Sequence, residues 1–186
     1  MSSYIEKYPW LRLLNMYTGK LYVNHDAMDE MPFGWKIAFG EMMCEELEQV
    51  IRKHDLVDKF IVLQIKEKFG QLKFYHNCRD IDEINMIIEK YSLISAYVCI
   101  HCGQPQAKIL NLGWIQPMCR KCFSEKHAND EKYDYDSLAA DFPEMPEKIE
   151  YRKYKDKEIP RKTLEYEIVM IDVKDTFDKI MAEWFS

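Results

Sequence analysis

Cys99-Ile-His-Cys102-Gly103 and Cys119-Arg-Lys-Cys122, separated by sixteen residues, decide how this chain is read. Two thiols two residues apart can turn inward at a tight knuckle and offer both sulfurs to one ion, and two such pairs complete a tetrahedron. Gly103, directly after the first pair, suits the turn because glycine tolerates positive φ. Lys108-Ile-Leu110 and Trp114-Ile115 flank Gly113 and read as short strands joined by a reversal. The pattern predicts a zinc-ribbon-like module over residues 99–122 in which Cys99, Cys102, Cys119 and Cys122 hold one structural Zn2+. Catalytic zinc keeps a coordination position open, whereas four cysteines close the shell. No acid lies between Cys99 and Cys122, so a deaminase-type glutamate within the metal motif is missing. His101 sits between two ligands and points away from the ion, and His127 fits the second pair less well than Cys122.

Upstream, a helix feeds the first pair almost directly. Ile81, Ile84, Ile87, Ile88, Tyr91 and Ile94 form its apolar stripe, and Asp80 with Glu83 stands in capping-box spacing. Before it, Phe60-Ile-Val-Leu-Gln-Ile65 and Gln71-Leu-Lys-Phe-Tyr75 flank Lys68-Phe-Gly70 and predict a hairpin, with Leu72 and Phe74 on one face and Lys73 and Tyr75 on the other. Gly34 precedes a helix from Trp35 to about Lys53, whose Phe39, Met43, Leu47 and Val50 or Ile51 recur at helical spacing. Pro9, Trp10, Leu13, Leu14, Tyr17 and Gly19 predict a short N-terminal helix. Residues 20–33 show no clear period and read as loop or short irregular strand.

Downstream of Cys122 the periodicity is lost until Thr163, and Pro143, Pro146 and Pro160 punctuate what reads as an extended arm. Thr163 to Ile171 then alternates as a strand with Leu164, Tyr166, Ile168 and Met170 on one face. A last helix, with Asp175 as its cap, aligns Phe177, Ile180, Met181 and Trp184. The fold class expected is α+β: a small antiparallel sheet packed with helices, the zinc-ribbon-like module, and a C-terminal strand-helix extension. The expected division is a core over 1–98, the metal module over 99–122, a charged connector over 123–162 and the extension over 163–186. Cys44 and Cys78 lie outside the pairs, Cys44 reading as a small core residue.

The chain has 186 residues and a net charge of −6, which argues against a surface coated in basic groups for nucleic acid. The charge is uneven. The metal module carries Lys108, Arg120 and Lys121 and no acid, residues 130–150 carry eight acids, and residues 151–162 carry six bases against Asp156 and Glu158. No run approaches the roughly 18 apolar residues of a membrane span, and the start lacks the order of a signal peptide. A cytoplasmic protein is expected, the host cytoplasm if the chain is phage-encoded, with no membrane partner.

Three blocks together resemble a known pattern. They are the Gly34-Trp35 helix, the run Gln64-Ile-Lys-Glu-Lys-Phe-Gly-Gln-Leu-Lys-Phe-Tyr75, and Cys99-x2-Cys102-Gly103 with Gly113-Trp-Ile115 and the second pair. Their order is similar to that of a family of small, uncharacterised phage and prophage proteins with a QxKEKFGxLxFY-like hairpin before a cysteine-rich motif. The resemblance covers roughly residues 30–122 and implies a phage or mobile-element origin and a zinc-bearing α+β fold; it carries no activity. The function expected is a non-enzymatic accessory protein that binds a host or phage protein, an inhibitor of host defence or of nucleic-acid metabolism, through the acidic segment and the C-terminal extension. The alternative is a zinc-ribbon nucleic-acid-binding protein using Lys108, Trp114, Arg120 and Lys121. An enzyme is weighed on Lys66, Glu67, Lys68 and His76, the clustered titratable groups near the hairpin, which read more simply as a solvated strand face.

Overall fold

The computed structural model describes residues 3–15, 18–128, 130, 132–139, 141–154 and 166–186. Tyr17, Leu164 and most of the basic block at 151–162 lie outside the described residues.

The N-terminal helix is shorter and earlier than its apolar spacing predicts. Helix α1 is Ser3–Lys7, Pro9–Leu11 make one 3-10 turn, and Arg12–Leu14 form strand β1. Asn15 explains the change: its carbonyl accepts from Gly19 N at 2.8 Å and its side chain accepts from Thr18 N at 3.0 Å. With Gly19 at φ 65° this closes a turn, and the chain returns as β2, Leu21–Asp26, antiparallel to β1. Of the two readings for residues 20–33, loop or short irregular strand, the strand is present, with an irregular register against β1. It ends in a 3-10 turn, Ala27–Asp29, with Asp26 and Asp29 capping it reciprocally.

The expected Trp35–Lys53 helix is present with an irregular start. Phe33–Trp35 make one α turn, Lys36–Gly40 a π turn, and Glu41–Lys53 form α2. Met43, Cys44, Leu47 and Ile51 on its inner face are buried. Helix α3, Asp82–Ser95, lies against it, joined by a stacked Phe39–Tyr91 pair at 5.4 Å and by Glu46, which accepts from Tyr91 Oη at 2.9 Å and pairs with Lys90. Its N-cap is Ile81 and not Asp80. The neighbouring Glu83 reaches back to Lys53 at 2.6 Å and His54 at 2.7 Å, a tertiary pairing that displaces the local cap.

Strands β3, Val62–Lys68, and β4, Gln71–His76, form the expected antiparallel hairpin, with Leu72, Phe74 and His76 facing the core. Its tip is unusual. Both turn residues have positive φ, Phe69 at 54° and Gly70 at 77°. Glycine accepts that region freely, but a bulky side chain there is strained, on the order of 1–2 kcal/mol. Four titratable groups seen as neighbours in sequence part here: His76 is buried and stacked on Phe60, while Lys66 and Lys68 lie on the outer face.

Downstream of the metal module, the segment expected to be an extended arm is structured where it is described. Arg120–Lys126 form α4, Tyr135–Ala139 form α5, and Lys148–Tyr154 form β7. Strand β7 pairs antiparallel with β8, Tyr166–Asp172, leading into α6, Lys174–Phe185. The N-terminal end of α6 is bonded by Asp172, whose carboxylate accepts from Asp175 N at 3.1 Å, so Asp175 is not the cap. Phe177 and Ile180 of α6 are buried in the main core beside Tyr97, which brings the C-terminal extension back onto the body of the protein. The fold is α+β, built among the described residues from two-stranded antiparallel sheets (Lys108–Asn111 with Ile115–Met118, β5 and β6, is the remaining pair) and helices packed on them. No described helix is long and apolar enough to cross a membrane.

Two predictions follow from this packing. A Cβ at Gly34 would collide with the carbonyl oxygen of Cys99 and lie 2.6 Å from Gly103 N and 2.7 Å from Ile100 C. Gly34→Ala should destabilise the protein by about 1–3 kcal/mol or more, read as a thermal midpoint lowered by roughly 5–10 °C. His76 is 5% exposed with no hydrogen-bond partner at Nδ1, and burial, reinforced by the Arg79 charge, holds its pKa below the ordinary 6.5. The unfolded chain thus binds this proton more readily, so stability is full above about pH 6.5 and declines as pH falls toward the depressed folded value. Urea denaturation at pH 7.5 and 5.0 should show a smaller acid loss for His76→Phe than for the native protein; an equal loss would remove His76 from the account.

Candidate metal centre

Helix α3 delivers the chain into the site with little slack. Ala96 is its C-cap, Val98 bridges Pro105, and Trp35 Nε1 donates to Val98 O at 3.0 Å. Cys99 to Gln104 then form the knuckle: Gly103 N donates to Cys99 O at 2.9 Å and Cys99 N to Gln104 O at 2.8 Å, with Gly103 at φ 85°. Strands β5 and β6 follow, in register from Lys108 opposite Met118 to Asn111 opposite Ile115. Gly113 turns them at φ 88°.

The second cysteine pair departs from the expected second knuckle. Cys119 is the N-cap of α4 and Cys122 lies in its first turn, with Cys122 N donating to Cys119 Sγ at 3.4 Å. Residues three apart share a helix face, so a helical turn presents both sulfurs as well as a knuckle does. The four Sγ atoms all lie within 4.8 Å of one another, and Cys102 and Cys119 are 3.7 Å apart. Four thiolates about 2.3 Å from a tetrahedral ion would stand about 3.8 Å from each other, so the spacing fits one metal ion. Among the described residues this is the one group of three or more ligand-type side chains so placed. His101 and His127 are not part of it: His101 faces Lys126 Nζ at 2.9 Å, and His127 packs on Phe123 at 5.0 Å.

The electrostatics of the cluster are uneven. Burial raises the Cys99 thiol, but backbone amides of Cys119, Cys102 and His101 outweigh it and bring the group below the ordinary thiol value. Burial pushes Cys102 up to about 11, helped by the neighbouring Cys99 charge. Cys122 is raised further by burial and by the sulfurs around it. Four thiols this close do not ionise together on their own, and a bound cation makes their common deprotonation favourable.

Sequence reasoning missed the walls of the site. Ala107, Leu110, Met118, Phe123 and Tyr135 pack with the cysteines into a second, smaller core. Tyr135 comes from the acidic segment and donates its hydroxyl to Met118 O at 3.2 Å, closing the module from below. Its neighbour Asp136 takes both guanidinium nitrogens of Arg120, which also lies 4.6 Å over the Tyr135 ring. The signal available was the aromatic spacing Tyr133, Tyr135 within the acids, which read as a solvated arm. Gly34 was missed as well: its N donates to Ile100 O at 3.0 Å, and the knuckle rests directly on it.

Of the four residues singled out for nucleic acid, Arg120 and Trp114 are each bonded to an acid. Arg120 is engaged by Asp136, and Lys108 lies 5.5 Å over the Phe142 ring at the end of β5 away from the turn. Trp114, 66% exposed at the hairpin turn, donates Nε1 to Glu67 Oε2 at 3.1 Å. Lys121 is exposed on α4.

Purified protein should carry one metal ion per chain, and Cys119→Ser should lose it. Cys44→Ser should keep it, because Cys44 is buried in the main core away from the cluster. Metal content by atomic emission, beside circular dichroism before and after chelation, checks both. Affinity should fall on acidification, since the thiols must release protons to bind.

No family model matches this chain, no curated protein is significantly similar to it, and no solved structure matches its fold.

Proposed function

We propose that the chain is a non-enzymatic accessory protein whose cysteine cluster holds one structural zinc ion and whose C-terminal extension binds another protein. The closed four-thiol shell supports zinc in a structural role, since no ligand position is left for substrate. The observation that carries the binding role is the outer face of the C-terminal hairpin. Tyr166, Ile168 and Met170 of β8 are 45%, 51% and 52% exposed and alternate along the strand. The opposite face, with Ile171, packs inward. The hairpin has only two strands, so each has an edge with no partner strand among the described residues. An extended segment of a partner protein can add to such an edge through backbone hydrogen bonds while its apolar side chains cover the exposed row. The resemblance to phage and prophage proteins supports a mobile-element origin, a host protein as the partner, and inhibition of host defence or nucleic-acid metabolism as the role, in the cytoplasm of the host.

Ile168→Lys combined with Met170→Lys should leave metal content and circular dichroism unchanged, as both side chains are exposed. Capture from host lysate should recover a partner with the native chain and lose it with the double variant. An identical set of captured proteins from both would remove the hairpin face as the binding surface.

A further inference from the structure

A second surface is built where two of the other hairpins, β3–β4 and β5–β6, meet. The turn of β3–β4 and the turn of β5–β6 are neighbours: a Cβ at Gly70 would lie 3.1 Å from Ile109 Cδ1 and 3.4 Å from Ile115 Cγ2, and Trp114 is bonded to Glu67. Each turn holds out one large aromatic ring, Phe69 at 71% and Trp114 at 66% exposure. Phe69 is doubly out of place as a structural residue. It sits at positive φ, where Asn or Gly is the stable choice for such a turn, and its ring is in water.

The outer face of the β3–β4 hairpin leading to this tip carries Gln64, Lys66, Lys68, Gln71, Lys73 and Tyr75, with no acid. Lys66 stands directly opposite Lys73 in the register, and Lys68 follows on the same strand face. Like charges directly across a sheet are destabilising. Among the described residues none of the three has an acidic partner: Lys66 lies over the Tyr75 ring at 5.3 Å, Lys68 over the Phe69 ring at 5.4 Å, and Lys73 bonds the neutral Gln71 Oε1 at 3.1 Å and Ser92 Oγ at 3.3 Å. The nearest acid, Glu67, is turned to the other face, where both oxygens are engaged by Gly70 N and Trp114 Nε1.

We infer that this face and tip bind a single strand of nucleic acid. Phosphates lie along Lys66, Lys68 and Lys73 on the outer face, and unpaired bases stack on Phe69 at the tip and on Trp114, which lies past the tip on the Glu67 side. Three ammonium groups from one face of the hairpin supply the charge and two exposed rings supply stacking that every unpaired base can use. A duplex, whose base faces are covered, gains only the charge. The net charge of −6 opposes long-range attraction, so binding is local and sensitive to salt. This surface is distinct from the C-terminal hairpin, and either can fail without the other.

The test is fluorescence anisotropy of labelled dT20, rU20 and a 20-base-pair duplex with the full metal-loaded chain across a salt series. The expected result is binding of the single strands above the duplex, with a log–log salt slope of about −2 for three phosphate contacts. Lys66→Gln with Lys68→Gln and Lys73→Gln should flatten that slope. Phe69→Asn should separate stacking from folding: it relieves the turn, so the melting temperature rises by a few degrees, while affinity falls about ten-fold at unchanged slope. Absence of binding at low salt, equal or tighter binding of the duplex, or unchanged affinity in Phe69→Asn would each overturn the inference. So would competition by poly-glutamate as effective as that by unlabelled single strand, which would mark a general polyanion surface.

Discussion

The seating of the first cysteine knuckle on Gly34 is the constraint on which the rest of the structure depends. The knuckle carries two of the four thiols, and its backbone from Cys99 to Gly103 runs so close to Gly34 that no side chain fits between them. Two hydrogen bonds hold the contact from the core side, Gly34 N to Ile100 O and Trp35 Nε1 to Val98 O. A third, Ile100 N to Pro117 O at 3.0 Å, ties the knuckle to the strand that leads to the second cysteine pair. The metal cluster is therefore not a bead on a linker. An ion at the four sulfurs would close a ring that runs through α3, the knuckle, β6 and α4, and would so transmit its binding free energy to the main core.

That arrangement explains why a chain with several two-stranded sheets can be ordered. A lone hairpin is marginal in water and needs a helix or another layer against it. Here β3–β4 lies beside α3, with Leu72 N donating to Ser95 Oγ at 2.8 Å, and β5–β6 is held between the cysteine pairs. The C-terminal hairpin is anchored by α6, whose Phe177 and Ile180 enter the main core, and by Tyr151 Oη, which donates to Asp82 at 3.0 Å. In β3–β4 and β7–β8 one face packs inward and the other is more exposed. The unusual residues of the protein lie on those outer faces and at the β3–β4 turn: the apolar row of β8, the opposed lysines of β3–β4, and the strained Phe69.

The boundaries of legibility follow the range of the interactions. The four cysteines, the β3–β4 hairpin and the two long helices were readable because spacing alone specifies them: period two, period three to four, and paired x2 gaps. Errors fell where a distant group outcompeted a local signal. Asp80 and Glu83 have cap spacing, yet Glu83 is drawn to Lys53 and His54 at the C-terminal end of α2, 30 and 29 residues away in sequence. Trp10, Leu13 and Leu14 have helical spacing, yet the Asn15–Gly19 turn folds Arg12–Leu14 against β2. The acidic segment looks solvated by composition, yet Tyr135 is buried under the metal site and Asp136 neutralises Arg120.

Residue type and local period were enough to pick out the four cysteines, the α+β class and the elements on either side of the cysteine cluster. Only the tertiary structure decided that the second cysteine pair opens a helix, that Gly34 receives the knuckle, and that the C-terminal extension returns to the core. It also decided that Arg120 is engaged by Asp136 while Lys66, Lys68 and Lys73 share a strand face with no acidic partner among the described residues. The physical reason is that close approach and charge pairing are properties of neighbours in space, and neither a missing Cβ nor an unpaired ammonium group shows its significance until its surroundings are in place.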